Sequence, residues 1–230
     1  MIKIKVKEII NLFDTRENNL QHNISTIINL VGEDLGAALF KRYFEKTYDK
    51  KVEIISRYSP VSGTKKGPWL DRWIYIYQTA GKKIIAYQTE IKNWSAYAIG
   101  GRPININNNE LSRIASLNWE ERRNQLLAKP KNGENKVFYH MKRPDDLDEQ
   151  VKIEPLIIYW MVLSKTKNDK SLRPFFKFNL PAKIRGFKKL NVFSMSNYLR
   201  LLRNDELILD MPNAQKRISL LRKYFRMSKI

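Results

Sequence analysis

Leu70-Asp71-Arg72-Trp73-Ile74-Tyr75-Ile76-Tyr77 and Lys83-Ile84-Ile85-Ala86-Tyr87-Gln88-Thr89-Glu90-Ile91-Lys92, linked through Thr79-Ala80-Gly81-Lys82, decide how this chain is read. Both runs are rich in β-branched and aromatic residues and the link between them is short, which predicts an antiparallel hairpin. In such a hairpin the start of one strand lies beside the end of the next. Asp71 and Glu90, nineteen residues apart, therefore meet at one edge of the sheet. Side chains on a strand alternate between faces, so Glu90 and Lys92 point the same way. Trp69, Trp73, Tyr75 and Trp94 are large aromatic neighbours of these charges.

Working outward, residues 24–48 follow a helical apolar period through Ile27, Ile28, Val31, Leu35, Ala38, Leu39 and Tyr43. Gly32 and Gly36 on this helix would let its backbone come close to a sheet, at a cost in helix propensity. Val52–Tyr58 reads as a strand, and 59–68 as a turn-rich loop carrying Lys65 and Lys66. After the hairpin come an asparagine-rich link at 105–109 and a helix over Glu110–Ala128. Residues 129–150 read as a mobile polar loop, with a short strand at Lys136–Met141 as an option. Pro155–Leu163 is a continuous apolar run. It suits a central strand buried on both faces and is far too short to span a bilayer. A strand at Leu190–Ser194, a helix at Asn197–Asn204 capped by Ser196, and a final basic helix at Asn213–Met227 complete the order. The expected fold is α/β, with a mixed sheet flanked by helices: a core within residues 1–165 and a basic extension, 166–230, packed on it.

Charge is the strongest compositional signal. The chain of 230 residues has 43 Lys and Arg against 23 Asp and Glu, a formal net charge of +20. Residues 165–230 alone carry 17 basic and 4 acidic side chains. A field of this size points to a polyanion, most commonly nucleic acid. The cations expected to meet phosphates are Lys65, Lys66, Lys183, Arg185, Lys188, Lys189 and Arg200, with Asn93 beside the acidic strand end. Asn191, Asn197 and Arg200 are candidates for reading base edges, with nothing in the sequence to single them out from ordinary surface residues. There is no Cys, which excludes disulfides and thiolate metal sites. His22 and His140 have neither ligand spacing nor a partner nucleophile, which disfavours a zinc site or a catalytic triad. No secretory signal pattern opens the sequence, and a cytoplasmic, prokaryotic setting without membrane association is expected.

Isolated acids in an apolar strand are costly unless they pair or hold a metal. Magnesium prefers oxygen ligands and keeps several waters, so two carboxylates and a backbone carbonyl are enough protein donors. Such an ion lowers the pKa of a bound water and stabilises charge on a phosphate. An amine two residues from a ligand can orient or deprotonate that water, or neutralise the charge that develops. Asp71 followed by Glu90-Ile91-Lys92 resembles the PD-(D/E)XK nuclease superfamily, over about residues 24–165. That resemblance implies a helix-strand-strand-strand-helix-strand core, and hydrolysis of DNA phosphodiesters with Mg2+, for which Mn2+ substitutes. Asp71, Glu90 and the Ile91 carbonyl would hold the metal, with Lys92 and a further acid as catalytic partners. Val31-Gly32-Glu33-Asp34-Leu35-Gly36 is similar to the family's first-helix motif, which gives that last role to Glu33, with Asp34 facing away. The proline that often precedes the first acid is replaced by Leu70.

Within the superfamily the chain looks most like a stand-alone type II restriction endonuclease cutting a short palindromic site. That implies double-stranded DNA as substrate and a homodimer as the working form. A cognate methyltransferase is implied as well, without direct contact. A Holliday-junction resolvase or repair nuclease of the same fold is the alternative enzyme. A non-catalytic DNA-binding protein is the alternative of another class.

Overall fold

In the computed structural model, Arg72–Tyr77 and Lys83–Lys92 form the expected antiparallel pair, with Arg72 opposite Thr89 and Ile76 opposite Ile85. The structure describes residues 1–14, 18–55, 71–78, 81–92, 98–99, 102–103, 137–139, 141–160, 173–202 and 205–225. Its elements run β1 (Ile2–Lys5), α1 (Val6–Asp14), α2 (Asn18–Tyr48), β2 (Val52–Ile55), β3 (Arg72–Tyr77), β4 (Lys83–Lys92), β5 (Ala98–Ile99) and β6 (Arg102–Pro103). They continue with β7 (Lys152–Tyr159), β8 (Phe175–Ile184), β9 (Phe187–Ser194), α3 (Met195–Leu201), β10 (Glu206–Leu209) and α4 (Pro212–Phe225). Among the described residues no helix is long and apolar enough to cross a membrane.

Among the described residues six strands make the central sheet, in the order β2-β3-β4-β7-β9-β8. The β4/β7 and β7/β9 pairs are parallel; β2/β3, β3/β4 and β8/β9 are antiparallel. The fold is therefore α/β with a mixed sheet flanked by helices. β7 lies between β4 and β9, and its residues Leu156–Tyr159 are wholly buried, as the continuous apolar run predicts. β1 and β10 form a separate two-stranded ribbon, and β5 pairs with β6.

Each face of the sheet has its own core. On one face, Phe40 and Leu39 of α2 pack with Ile74, Tyr87, Ile91, Ile158 and Phe193, and α3, β10 and α4 join through Leu199, Leu207 and Ala214. Gly36 sets how closely α2 approaches. A Cβ there would lie 3.1 Å from Ile91 Cγ2, 3.2 Å from Ile158 Cγ2 and 3.3 Å from Met195 Sδ. On the other face, Trp73, Tyr75, Ala86, Ile157, Tyr159 and Val192 pack against Val137, Phe138, Met141, Leu147 and Val151.

Several boundaries move. The first long helix begins at Asn18 rather than 24, while β4 spans the predicted Lys83–Lys92. The described part of 129–150 is not a mobile loop: Val137 and Phe138 are fully buried and cover one face of the sheet. The chain beyond 165 supplies two of the six strands, so the division placed there falls inside one continuous sheet. Ser194, not Ser196, caps α3 by accepting a hydrogen bond from Asn197 N at 3.2 Å. Ser196 instead donates to the Trp160 carbonyl. The predicted helix at 110–128 lies outside the described residues.

Candidate active site

Alternation along β4 sorts the site. Tyr87 and Ile91 face α2, whereas Ala86 belongs to the opposite core. Glu90 and Lys92 share the parity of Ala86 and so lie on the face away from α2. Lys92 Nζ is 2.6 Å from Glu90 Oε1, and the Glu90 side chain is 2% exposed. The shared face read from their i, i+2 spacing is present.

Asp71 sits one residue before β3, at the same end of the hairpin. Its Oδ2 accepts a hydrogen bond from Ile91 N at 2.7 Å. The Asp71 carboxylate is thus fixed against the Glu90-Ile91-Lys92 backbone, at the strand end where the hairpin argument put it.

Behind this group, Arg72 points to the α2 face, as its position one residue along requires. It is 2% exposed, with Nη2 3.0 Å from Asp34 Oδ1 and 3.3 Å from Glu33 Oε2. Its Nη1 also donates to the Asp71 carbonyl at 2.5 Å. Beside its bond to Arg72, Asp34 turns toward α4. It is buried and accepts from Asn213 Nδ2 at 3.1 Å and from Ala214 N at 2.7 Å, which caps the first turn of α4. Asp34 therefore has a structural role that joins α2, β3 and α4. Glu33 is only partly buried and stands near Asp71. Burial holds its carboxyl above the usual range and the Asp71 charge adds to the rise, while Arg72 and, more weakly, Arg217 oppose it.

Among the described residues four carboxylates (Glu33, Asp34, Asp71 and Glu90) are set against three cations, Arg72, Lys92 and Arg217, an excess of one negative group. Among the described residues no three Asp, Glu, His or Cys side chains gather closely enough to hold a metal by themselves. Asp71 and Glu90 with the Ile91 carbonyl form a smaller, all-oxygen donor set. A hard cation that keeps most of its waters accepts such a set, and the excess negative charge favours one. The donor chemistry fits magnesium.

The other predicted positions divide. Lys65, Lys66 and Asn93 lie outside the described residues. Lys183, Arg185, Lys188 and Lys189 are exposed around the β8–β9 turn, where Arg185 and Gly186 both take positive φ (48° and 88°) in a two-residue loop closed by the Ile184–Phe187 pair. Arg200 is in the last turn of α3, which packs on the α2 side, so β9 separates it from those cations by its full length, roughly 25 Å. Asn191 and Asn197 are not base readers. Both are fully buried, Asn191 donating to Glu154 Oε2 at 2.9 Å and the Pro155 carbonyl at 3.0 Å, and Asn197 to the Arg173 carbonyl at 2.9 Å.

Residues that sequence reasoning did not single out also shape this face. Gln88, two before Glu90, donates to the Val137 and Tyr139 carbonyls and pins the covering segment to β4. Its signal was a polar residue inside an apolar strand. Tyr139 gave none, because it lies in a stretch without period. No protein-family model matches the chain, and neither a curated protein sequence nor a solved structure matches it.

Proposed function

We propose that this protein is a magnesium-dependent endodeoxyribonuclease with a restriction-endonuclease-like core, acting on double-stranded DNA. One observation carries the reading. Asp71 Oδ2 lies 2.7 Å from Ile91 N while Lys92 Nζ lies 2.6 Å from Glu90 Oε1, so two acids and an amine converge at one end of the hairpin. The order α2-β2-β3-β4, followed by β7 parallel to β4, supports the same reading, as does the surplus of 20 positive charges.

In this account Asp71, Glu90 and the Ile91 carbonyl hold the cation. When bound, the ion supplies an activated water and neutralises charge on the phosphate. Lys92, which lies 2.6 Å from Glu90 Oε1, would position the attacking water and offset the charge that develops on the pentacoordinate phosphorus. Glu33 keeps a proton more readily than an ordinary glutamate and lies beside Asp71, which suits it to give or take a proton at the rim of the site. The large buried aromatics Trp73 and Tyr159 pack on the same face of the sheet as the acids. A symmetric dimer on a palindrome gives each of two scissile phosphates one such site.

Incubating supercoiled plasmid with the protein and Mg2+, beside an EDTA control, tests this. Metal-dependent discrete fragments are expected. Resolution of four-way junctions in place of duplex cutting would move the chain to the resolvases, and a gel shift without any cleavage would leave a DNA-binding protein.

A further inference from the structure

We propose that the cleft where β7 and β9 part is a second site, one that takes a single nucleotide of a nucleic-acid strand, its base stacked on the Tyr139–Arg185 pair and its phosphate met by Lys188 and Lys189. It rests on the nucleic-acid part of the reading above and not on its metal chemistry.

The cleft follows from the sheet. β7 and β9 pair only from Leu156 with Asn191 to Tyr159 with Ser194, although both strands begin four residues earlier. Pro155, which has no N–H to continue a ladder, stands where the pairing stops. Asn191 closes the fork by donating to the Pro155 carbonyl and to Glu154. Ahead of the fork the strands enclose a cavity of about 520 Å³, within the range of small-molecule sites.

Its lining is basic and aromatic. Lys152, Arg185, Lys188 and Lys189 supply four cations, and Tyr139 and Phe187 supply rings. The Arg185 guanidinium lies 3.8 Å from the Tyr139 ring centroid. Bases stack on guanidinium planes as they do on aromatic rings, so this pair offers a cationic group over a ring on which a base can stack. Among the described residues Glu154 is the one acid in the wall, and it is paired: Lys152 Nζ is 2.5 Å and Lys177 Nζ 3.8 Å from its carboxylate. An anion entering the cleft therefore meets Lys188 and Lys189 with that acid already offset. A bare phosphate would not need the rings, and an apolar ligand would not need the lysines; a nucleotide uses both. Gln88 also lines the cavity, and Glu90 is the next residue on the same face of β4, roughly 7 Å along the strand. A strand seated here would run toward the acidic end of the hairpin.

Calorimetric titration in low salt and EDTA tests the proposal with three probes: deoxythymidine 5′-monophosphate, thymidine and inorganic phosphate. The nucleotide is expected to saturate one site, with thymidine and phosphate each weaker by about tenfold or more, and Tyr139→Ala to weaken the nucleotide by about 5- to 100-fold. Arg185→Asn, which keeps a side chain tolerant of the positive φ in an exposed turn, is expected to weaken it similarly and guards against a folding defect in the tyrosine variant. Absence of saturable binding, phosphate binding as tightly as the nucleotide, or full affinity in Arg185→Asn would overturn the site. Binding without plasmid cleavage would keep the site and remove the metal chemistry; cleavage without binding would do the reverse.

Discussion

Replacing Arg72 by Met is expected to cost about 3 kcal/mol of stability, the low end of the range for removing one partner of a buried ion pair. The side chain is 2% exposed, and its bonds include Asp34 at 3.0 Å and Glu33 at 3.3 Å on α2, and the Asp71 carbonyl. Methionine fills most of the same volume, so the packing loss is small. Asp34 keeps Asn213 Nδ2 and Ala214 N, which limits the damage there. Glu33 loses its nearest cation but can take up a proton, which caps its share. At roughly 2–4 °C per kcal/mol for a chain of this size, the melting midpoint should fall by about 6–12 °C. Urea denaturation of wild type, Arg72→Met, Asp34→Asn and the double variant at neutral pH gives both the loss and the coupling. The coupling is expected to exceed about 1 kcal/mol. A loss below about 1 kcal/mol, or a coupling near zero, would refute the view that this guanidinium ties α2 to β3 beneath the acids.

Three further outcomes follow from the same structure. Glu33 binds a proton more tightly folded than unfolded, so its contribution is full below the ordinary carboxyl value of 4.5 and is lost as pH rises through the raised folded value. Glu33→Gln should therefore remove the fall in stability between those two values and melt higher than wild type at pH 7; parallel profiles would contradict this. Gly36→Val should destabilise by about 1–3 kcal/mol, because its added carbons meet Ile91, Ile158 and Met195 at separations already near 3.2 Å; an unchanged urea midpoint would show that α2 has room to spare. Reversing Lys183, Lys188 and Lys189 together should weaken DNA binding and flatten its salt dependence, by about one unit of slope for each phosphate no longer neutralised; an unchanged slope removes the hairpin from the interface.

What could be read in advance was local or alternating. The β3–β4 hairpin, the ends of β4 and the shared face of Glu90 and Lys92 all follow from a period of two and a short turn. The burial of β7 followed from an unbroken apolar run. β8 was missed because Lys177, Asn179, Pro181 and Lys183 interrupt its apolar residues, so charge outweighed alternation. The segment over 137–151 buries Val137, Phe138, Met141 and Leu147 with no periodic spacing, and such residues show no face until they are packed. The partners of Asp34, Arg72 and the start of α4, were not legible because they are brought to it only by the tertiary fold. Asn191 and Asn197 looked like base readers because a sequence does not show whether an amide faces a groove or plugs a fork between strands.

The central claim is that Asp71 and Glu90 together hold a divalent ion that cuts DNA. Plasmid cleavage at saturating Mg2+ by wild type, Asp71→Asn and Glu90→Gln, with DNA affinity measured in parallel in EDTA, addresses it most directly. The account expects wild-type cutting that chelation abolishes, and a loss of at least about a thousandfold in either variant while affinity stays within a few-fold. Cleavage by either variant at the wild-type rate, or wild-type cleavage that survives chelation, would contradict it.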